Sequence, residues 1–340
     1  MPRAIMDSDG DGRGVLQHPA CGDALRHCNN CLKRETTGVK LRKCAGCSSV
    51  VYCSSECQKA EWPRHKPMCQ TDHPGDTATV ARYGYTSVSA FTRDLADFLD
   101  AHTWAFRMLV TVQRQLQVDA NPGVPIPHLP RLLRFRLRCQ TTRSNVHKHR
   151  NPATRFAIVA QTFTDMDAYA RKNELWWEQS TVLRNEATRA FAQQYPGHNG
   201  DFIAVEYKVP GTHGGAMNYF PLQTPRAPAP GTAEQRRPIL EDMVDFCTRS
   251  INYGFPMRMR VVGDAFTKLA YPGTFVRMDG CWTWKAILEE WKSYAPGQHR
   301  ALDVAVRELK TRMPIAYLID STLRITSGVS VLLSQDAFRP

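Results

Sequence analysis

The sequence predicts a small α/β finger stabilised by zinc, followed by a mixed α+β domain with several helices and a small antiparallel sheet. Three observations lead there. Seven of the eleven cysteines fall within residues 28–69. From Ser89 to Val118, apolar residues (Phe91, Leu95, Phe98, Leu99, Trp104, Leu109, Val112) recur mostly at helical three- and four-residue intervals. Leu133, Phe135, Leu137 and Cys139 alternate with arginines as a half-buried strand requires.

Composition sets the outer limits. With 340 residues, 42% hydrophobic and 22% charged, the chain has room for a sizeable core beyond a small module. It contains no apolar run of the ~18 residues that would span a bilayer, so no membrane partner is expected. The opening Met1–Gly10 lacks the apolar stretch of a secretory signal. One dense cysteine knot in such a chain points to metal ligation in a reducing compartment, so the expected location is intracellular, in nucleus or cytoplasm.

Residues 1–27 are rich in Gly, Asp and Arg without apolar periodicity and are expected to be disordered. Asp7-Ser8-Asp9-Gly10-Asp11-Gly12 resembles the start of an EF-hand loop, but its twelfth position is His18 rather than the required Glu, so calcium is not expected. The finger occupies 28–69 and a polar linker 70–88, with turn residues at Thr71–Asp76. Residues 89–340 form the α+β domain, with further strands at Phe156–Thr162 and Phe202–Lys208. Helices are expected near 174–194, 234–252, 283–294 and 299–312, and a loop at Pro225–Gly231.

Within the finger, Cys28-x2-Cys31, Cys44-x2-Cys47, Cys53-x3-Cys57 and His65-x3-Cys69 form four ligand pairs in series. Zinc takes four thiolate or imidazole ligands tetrahedrally, so eight ligands make two closed sites, one with four cysteines and one with three cysteines and a histidine. A closed site has no position for water, and its role is to fold the module rather than to catalyse. His18, Cys21 and His27 lack a partner at zinc spacing. Ser55-Glu56-Cys57-Gln58 has the pattern of a capping box, with a helix starting just after Ser55. Trp62-Pro63 is expected to end that helix, and an irregular turn would carry His65 and Cys69.

The run Cys44-x2-Cys47-x5-Cys53-Ser-Ser-Glu-Cys57-Gln58-x3-Trp62-x2-His65-x3-Cys69, preceded at the third pair by Tyr52, resembles a MYND-type zinc finger. The resemblance implies interleaved ligation: Cys28, Cys31, Cys53 and Cys57 on one ion, and Cys44, Cys47, His65 and Cys69 on the other. Spacing alone is equally compatible with sequential pairing. The resemblance also implies that the finger binds short proline-rich peptides in a groove at Tyr52, Gln58 and Trp62. The twelve residues after Cys31 and the alanine at Ala45 depart from the family pattern.

Some MYND fingers interrupt SET-domain lysine methyltransferases. Only 27 residues precede this finger, and Val146 separates Asn145 from His147 where such a motif needs them adjacent. His213-Gly214-Gly215 lacks an accompanying Gly-x-Ser-x-Gly elbow and reads as a turn. No catalytic residue is therefore assigned. The expectation is a non-enzymatic adaptor or transcriptional co-regulator, with a SET-like methyltransferase further back.

The other alternative is a nucleic-acid-binding regulator. The chain carries a formal net charge of +12, and the segment Ala120–Thr164 has no Asp or Glu against eight Lys/Arg. On its strand, Arg134, Arg136 and Arg138 would line one face about 7 Å apart and track phosphates. In the finger, eight Lys/Arg exceed three Asp/Glu by five, and two zincs with seven thiolates reduce this to +2, a weak footprint for nucleic acid.

Overall fold

A computed structural model describes residues 24–66, 69, 74–141, 150–194, 201–212, 215–221, 229–261 and 268–327. The finger comprises a two-stranded antiparallel ribbon, β1 (Arg42–Lys43) and β2 (Val51–Tyr52), and helix α1 (Ser55–His65). The true N-cap is Ser54, whose hydroxyl accepts from the Cys57 amide at 3.2 Å, one residue before the expected position. α1 also runs through Pro63 instead of ending there. Its Lys66 cap amide still reaches the Trp62 carbonyl, so the helix loses only the one bond that proline cannot donate.

The expected linker is part of the domain. Helix α2 (Pro74–Arg82) and the turn after it place Val80 and Tyr85 in the main core. Next come α3 (Val88–Ala101) and α4 (Thr103–Ala120), which break the single expected helical stretch at His102. The His102 ring is fully buried, with Nε2 2.9 Å from the Ala153 carbonyl. Burial pushes its pKa down to about 4, which keeps the ring neutral.

A four-stranded sheet follows, built from β3 (Leu132–Cys139), β4 (Phe156–Thr164), β5 (Phe202–Lys208) and β6 (Gly215–Pro221) in the order β4-β3-β5-β6. It is mixed, which corrects the expected small antiparallel sheet: β3 pairs parallel with β5 and antiparallel with β4. Parallel pairing needs a long crossover. Here β4 and helices α5 (Met166–Lys172), α6 (Glu174–Gln179) and α7 (Thr181–Gln194) lie between the two strands in sequence.

The inward face of β3 packs Phe135 against Phe106 of α4, with ring centres 5.2 Å apart, and the two aromatics stack or pack edge-on with Tyr207 of β5. Helix α8 (Ala233–Tyr253) closes this core through Leu240, Met243, Phe246 and Ile251. It begins at a capping box of Thr232 with Gln235 and ends at Gly254. With φ of 70° and Thr154 Cγ2 only 2.5 Å from where a Cβ would sit, residue 254 must be glycine. On the outward face, Leu132, Ala204 and Tyr219 are covered by Tyr169 and Ala187 from α5 and α7.

A second sheet, β7 (Met257–Val261), β8 (Lys268–Met278) and β9 (Cys281–Ala286), is antiparallel throughout. The helix expected at 283–294 is thus β9 followed by a short 3₁₀ turn at Trp291–Ser293. Trp284 lies across β8 at Gly273, where a Cβ would come within 2.1 Å of the indole. Asp279 and Gly280, both at positive φ, supply the tight turn between β8 and β9. Helices α9 (Arg300–Arg307) and α10 (Ile315–Ile325) are the last elements among the described residues, the second unforeseen in the sequence. Of the loop expected at Pro225–Gly231, residues 225–228 lie outside the described residues, as do the EF-hand-like run, Asn145–His147, His213 and Gly214.

The expectation of disorder through residue 27 also fails at its end. Ala24 forms an isolated antiparallel bridge with Thr283 of β9, and the Leu25 amide donates to the Trp282 carbonyl at 2.9 Å. The Leu25 side chain is buried with Tyr271, Phe275 and Trp284. The finger is therefore fixed to the domain. Arg26 grips Asp97 of α3 with two parallel bonds, at 2.9 Å and 2.5 Å, and Arg93 donates to the Ser48 carbonyl at 2.7 Å.

Candidate metal centre

Two loops of the finger repeat one design. In Cys28–Leu32 and in Cys44–Ser48, the fifth residue donates its amide to the carbonyl of the first cysteine, at 3.0 Å and 2.9 Å. Both fifth residues are left-handed, Leu32 at φ 61° and Ser48 at φ 55°. Such a turn points both sulfurs of a Cys-x2-Cys pair to one point. In the second turn Gly46 is obligatory, because a Cβ there would lie 2.9 Å from the Cys69 sulfur.

The ribbon and α1 then bring distant pairs together. Cys28, Cys31, Cys53 and Cys57 place their sulfurs within 4.8 Å of one another, and Cys44, Cys47, His65 and Cys69 do the same with three sulfurs and a ring nitrogen. The pairing is interleaved, first with third and second with fourth, which resolves what spacing left open. Sulfurs bound tetrahedrally to one zinc at ~2.3 Å lie about 3.8 Å apart. The observed distances bracket that value: Cys31 to Cys53 3.4 Å, Cys53 to Cys57 3.5 Å, and Cys44 to Cys69 3.9 Å. Cys47 Sγ lies 3.4 Å from His65 Nε2. A disulfide would need about 2.05 Å, and every described cysteine is free. The donor sets fit two zinc ions.

Electrostatics agree with a metal-organised unit. Desolvation pushes the Cys53 thiol up and the Cys69 thiol up to about 12, whereas the Asn30 side chain leads in drawing Cys57 down to about 7. Crowded thiols do not ionise together without a cation, and zinc binding must displace their protons. The Gln58 amide donates to Cys44 Sγ at 3.8 Å, outside the ligand set but touching it.

The three groove residues separate. Trp62 is 40% exposed and stands edge-on to His65, ring centres 5.8 Å apart. Gln58 is half-buried one turn earlier, with its carbonyl oxygen available as an acceptor. Tyr52 is only 1% exposed, lies beneath His65, and has a buried hydroxyl without a described partner. It supports the His65 ring and does not form a surface that a ligand can touch, which corrects its expected role. His27 joins neither cluster and sits with Nδ1 3.8 Å from an Asp100 carboxylate oxygen.

The basic stripe separates as well. Arg134 pairs with Glu206 on the neighbouring strand, and its guanidinium lies 5.4 Å from the centre of the Tyr169 ring. Its charge is neutralised within the sheet, so it does not serve as the expected phosphate contact. Arg136 and Arg138 are exposed.

These features define a class: a zinc finger with two closed, interleaved sites. Residues 28–69 match the family model described as the MYND finger, and that segment is a MYND finger. Similar proteins include SET domain-containing protein 14 of Caenorhabditis elegans, 46% identical over 44 residues, which are 13% of this chain and 10% of that protein. SET domain and MYND-type zinc finger protein 6 of Schizosaccharomyces pombe is 44% identical over 45 residues, 13% of this chain and 9% of that protein. The human N-lysine methyltransferase SMYD2 is 36% identical over 80 residues, 18% of each chain. The chain thus spans at most about a fifth of the length of these relatives. No solved structure matches it.

The relatives correct one expectation. They include proteins named as N-lysine methyltransferases, so the assignment of a non-enzymatic adaptor no longer stands. Among the described residues, no helix is long and apolar enough to cross a membrane.

Proposed function

We propose that the finger captures an extended, proline-bearing segment of a client protein, and that this capture serves protein-lysine methylation. The capture reading rests on Trp62, a large aromatic left 40% exposed on a helix whose neighbouring turns are committed to metal. A flat indole with an amide acceptor one turn away suits an extended peptide, which offers rigid proline rings and unpaired backbone amides. Rigid attachment through Leu25, Arg26 and Arg93 would hold the captured segment at a fixed place relative to the α+β domain.

Methylation is supported by the names of the relatives that share the finger. Titrating the full chain with a labelled Pro-x-Leu-x-Pro peptide tests capture: Trp62→Ala should abolish binding with both zincs retained, and unchanged binding would refute it. Transfer from a tritium-labelled methyl donor to lysine-containing protein tests the second half separately. Incorporation that requires the intact chain is expected, and its absence across a panel of histone and non-histone substrates would refute methylation alone.

A further inference from the structure

We infer that the outward face of the four-stranded sheet, at the exposed Arg136 and Arg138, binds the phosphate backbone of nucleic acid. The outward face divides at Arg134. On one side, Leu132, Ala204 and Tyr219 lie under α5 and α7. On the other, Arg136 and Arg138 are both exposed, and the half-buried Lys208 lies opposite Arg136 on β5.

Part of the segment's positive charge is consumed by the fold. Arg131 is held by Asp201, Arg134 by Glu206 and Arg155 by Asp94, while Arg150 donates to the carbonyls of Gln140 and Thr154. No described carboxylate pairs with Arg136 or Arg138. They stand two residues apart on one strand, hence about 6.6 Å apart, a fixed row of guanidinium groups on a rigid sheet.

The surroundings favour a polyanion over a protein partner. On the adjoining strand Ala160 lies opposite Arg136 and Ala157 opposite Arg138, with the exposed Val159 at the bulge between them, a surface without the aromatic anchors that dominate protein interfaces. The same lack of exposed rings, among the described residues of this face, leaves base stacking without a platform and directs contact to phosphates. A net charge of +12 adds attraction for a polyanion at a distance.

The test is fluorescence anisotropy of a labelled duplex DNA of ~20 base pairs with the full chain, at salt from about 50 to about 200 mM. Each phosphate contact contributes about −0.9 to the slope of log affinity against log salt, so Arg136→Gln/Arg138→Gln should flatten the slope by about two. The wild type should then lose about tenfold more affinity than the double variant across that range. Glu206→Gln, which releases Arg134 from its carboxylate, should tighten binding and steepen the slope by about one. Both variants should keep their zinc and their circular dichroism. Absence of binding, equal slopes for wild type and double variant, or equally tight arginine-dependent binding of labelled polyglutamate would overturn the inference.

Discussion

The finger and the α+β domain sit side by side but are held together by different physics. The buried cluster of the finger contains Cys28, Cys44, Cys47 and Tyr52, and three of these four are metal ligands. The domain buries Phe91, Phe98, Phe106, Phe135, Phe156 and Phe246 at 2% exposure or less, together with most of α4 and one face of α8. A segment of the finger's size cannot fold on apolar burial, so its stability is its zinc affinity, whereas the domain carries its own core. Between them lies a small junction of one leucine, one part-buried ion pair, the Leu25–Trp282 backbone bond and the Arg93–Ser48 bond.

The largest effect should come from the core. Phe106→Ala removes a ring packed between Phe135 and Tyr207 and should cost about 3–5 kcal/mol in urea unfolding of the domain. Zinc content should remain at two per chain. Loss of zinc in the folded variant would show that the finger depends on the domain.

Acidification should act on the other region. Burial holds the Cys69 thiol protonated, up to about 12, so zinc binding at neutral pH displaces its proton. Affinity is then lower at lower pH, about tenfold per pH unit for each proton displaced, or roughly 100-fold for this thiol between pH 8 and pH 6. Competition with a chromophoric chelator measures this, with helical circular dichroism as control. The domain's spectrum should not follow the zinc curve.

The junction comes next. In Arg26→Ala the buried carboxylate of Asp97 loses its partner, and desolvation already pushes that carboxyl up. Stripping a buried pair costs about 3–5 kcal/mol, and with the Arg26 side chain 36% exposed we expect about 2 kcal/mol. Differential scanning calorimetry should show the loss, and limited proteolysis should cut sooner between finger and α3. The smallest effect is a gain: Ser48→Gly relieves a left-handed backbone and should stabilise the zinc-bound finger by about 1 kcal/mol, read as slower zinc release.

How much the sequence disclosed follows the same division. Ligand identity was legible because thiolate pairs at fixed spacing have few other uses, and the resemblance supplied their interleaving. The accessibility of Tyr52 was not, since an aromatic beside a cysteine reads alike whether it lies above or below a histidine ring. In the domain, α3, α4, β3, β4, β5 and α8 were visible from apolar spacing. β9 reads as helix in the sequence because Ile287, Leu288 and Trp291 mimic helical intervals, although Asp279-Gly280 carries a hairpin signal and Trp282 and Trp284 alternate around Thr283. The pairing of Arg134 with Glu206, 72 residues apart, is a tertiary fact that strand alternation cannot supply.

Hydrogen exchange of the full chain before and after zinc removal by a strong chelator tests this division most directly. Amides of residues 28–66 should lose protection while those of α4, β3 and α8 keep theirs. Protection lost in both regions together, or in neither, would contradict it.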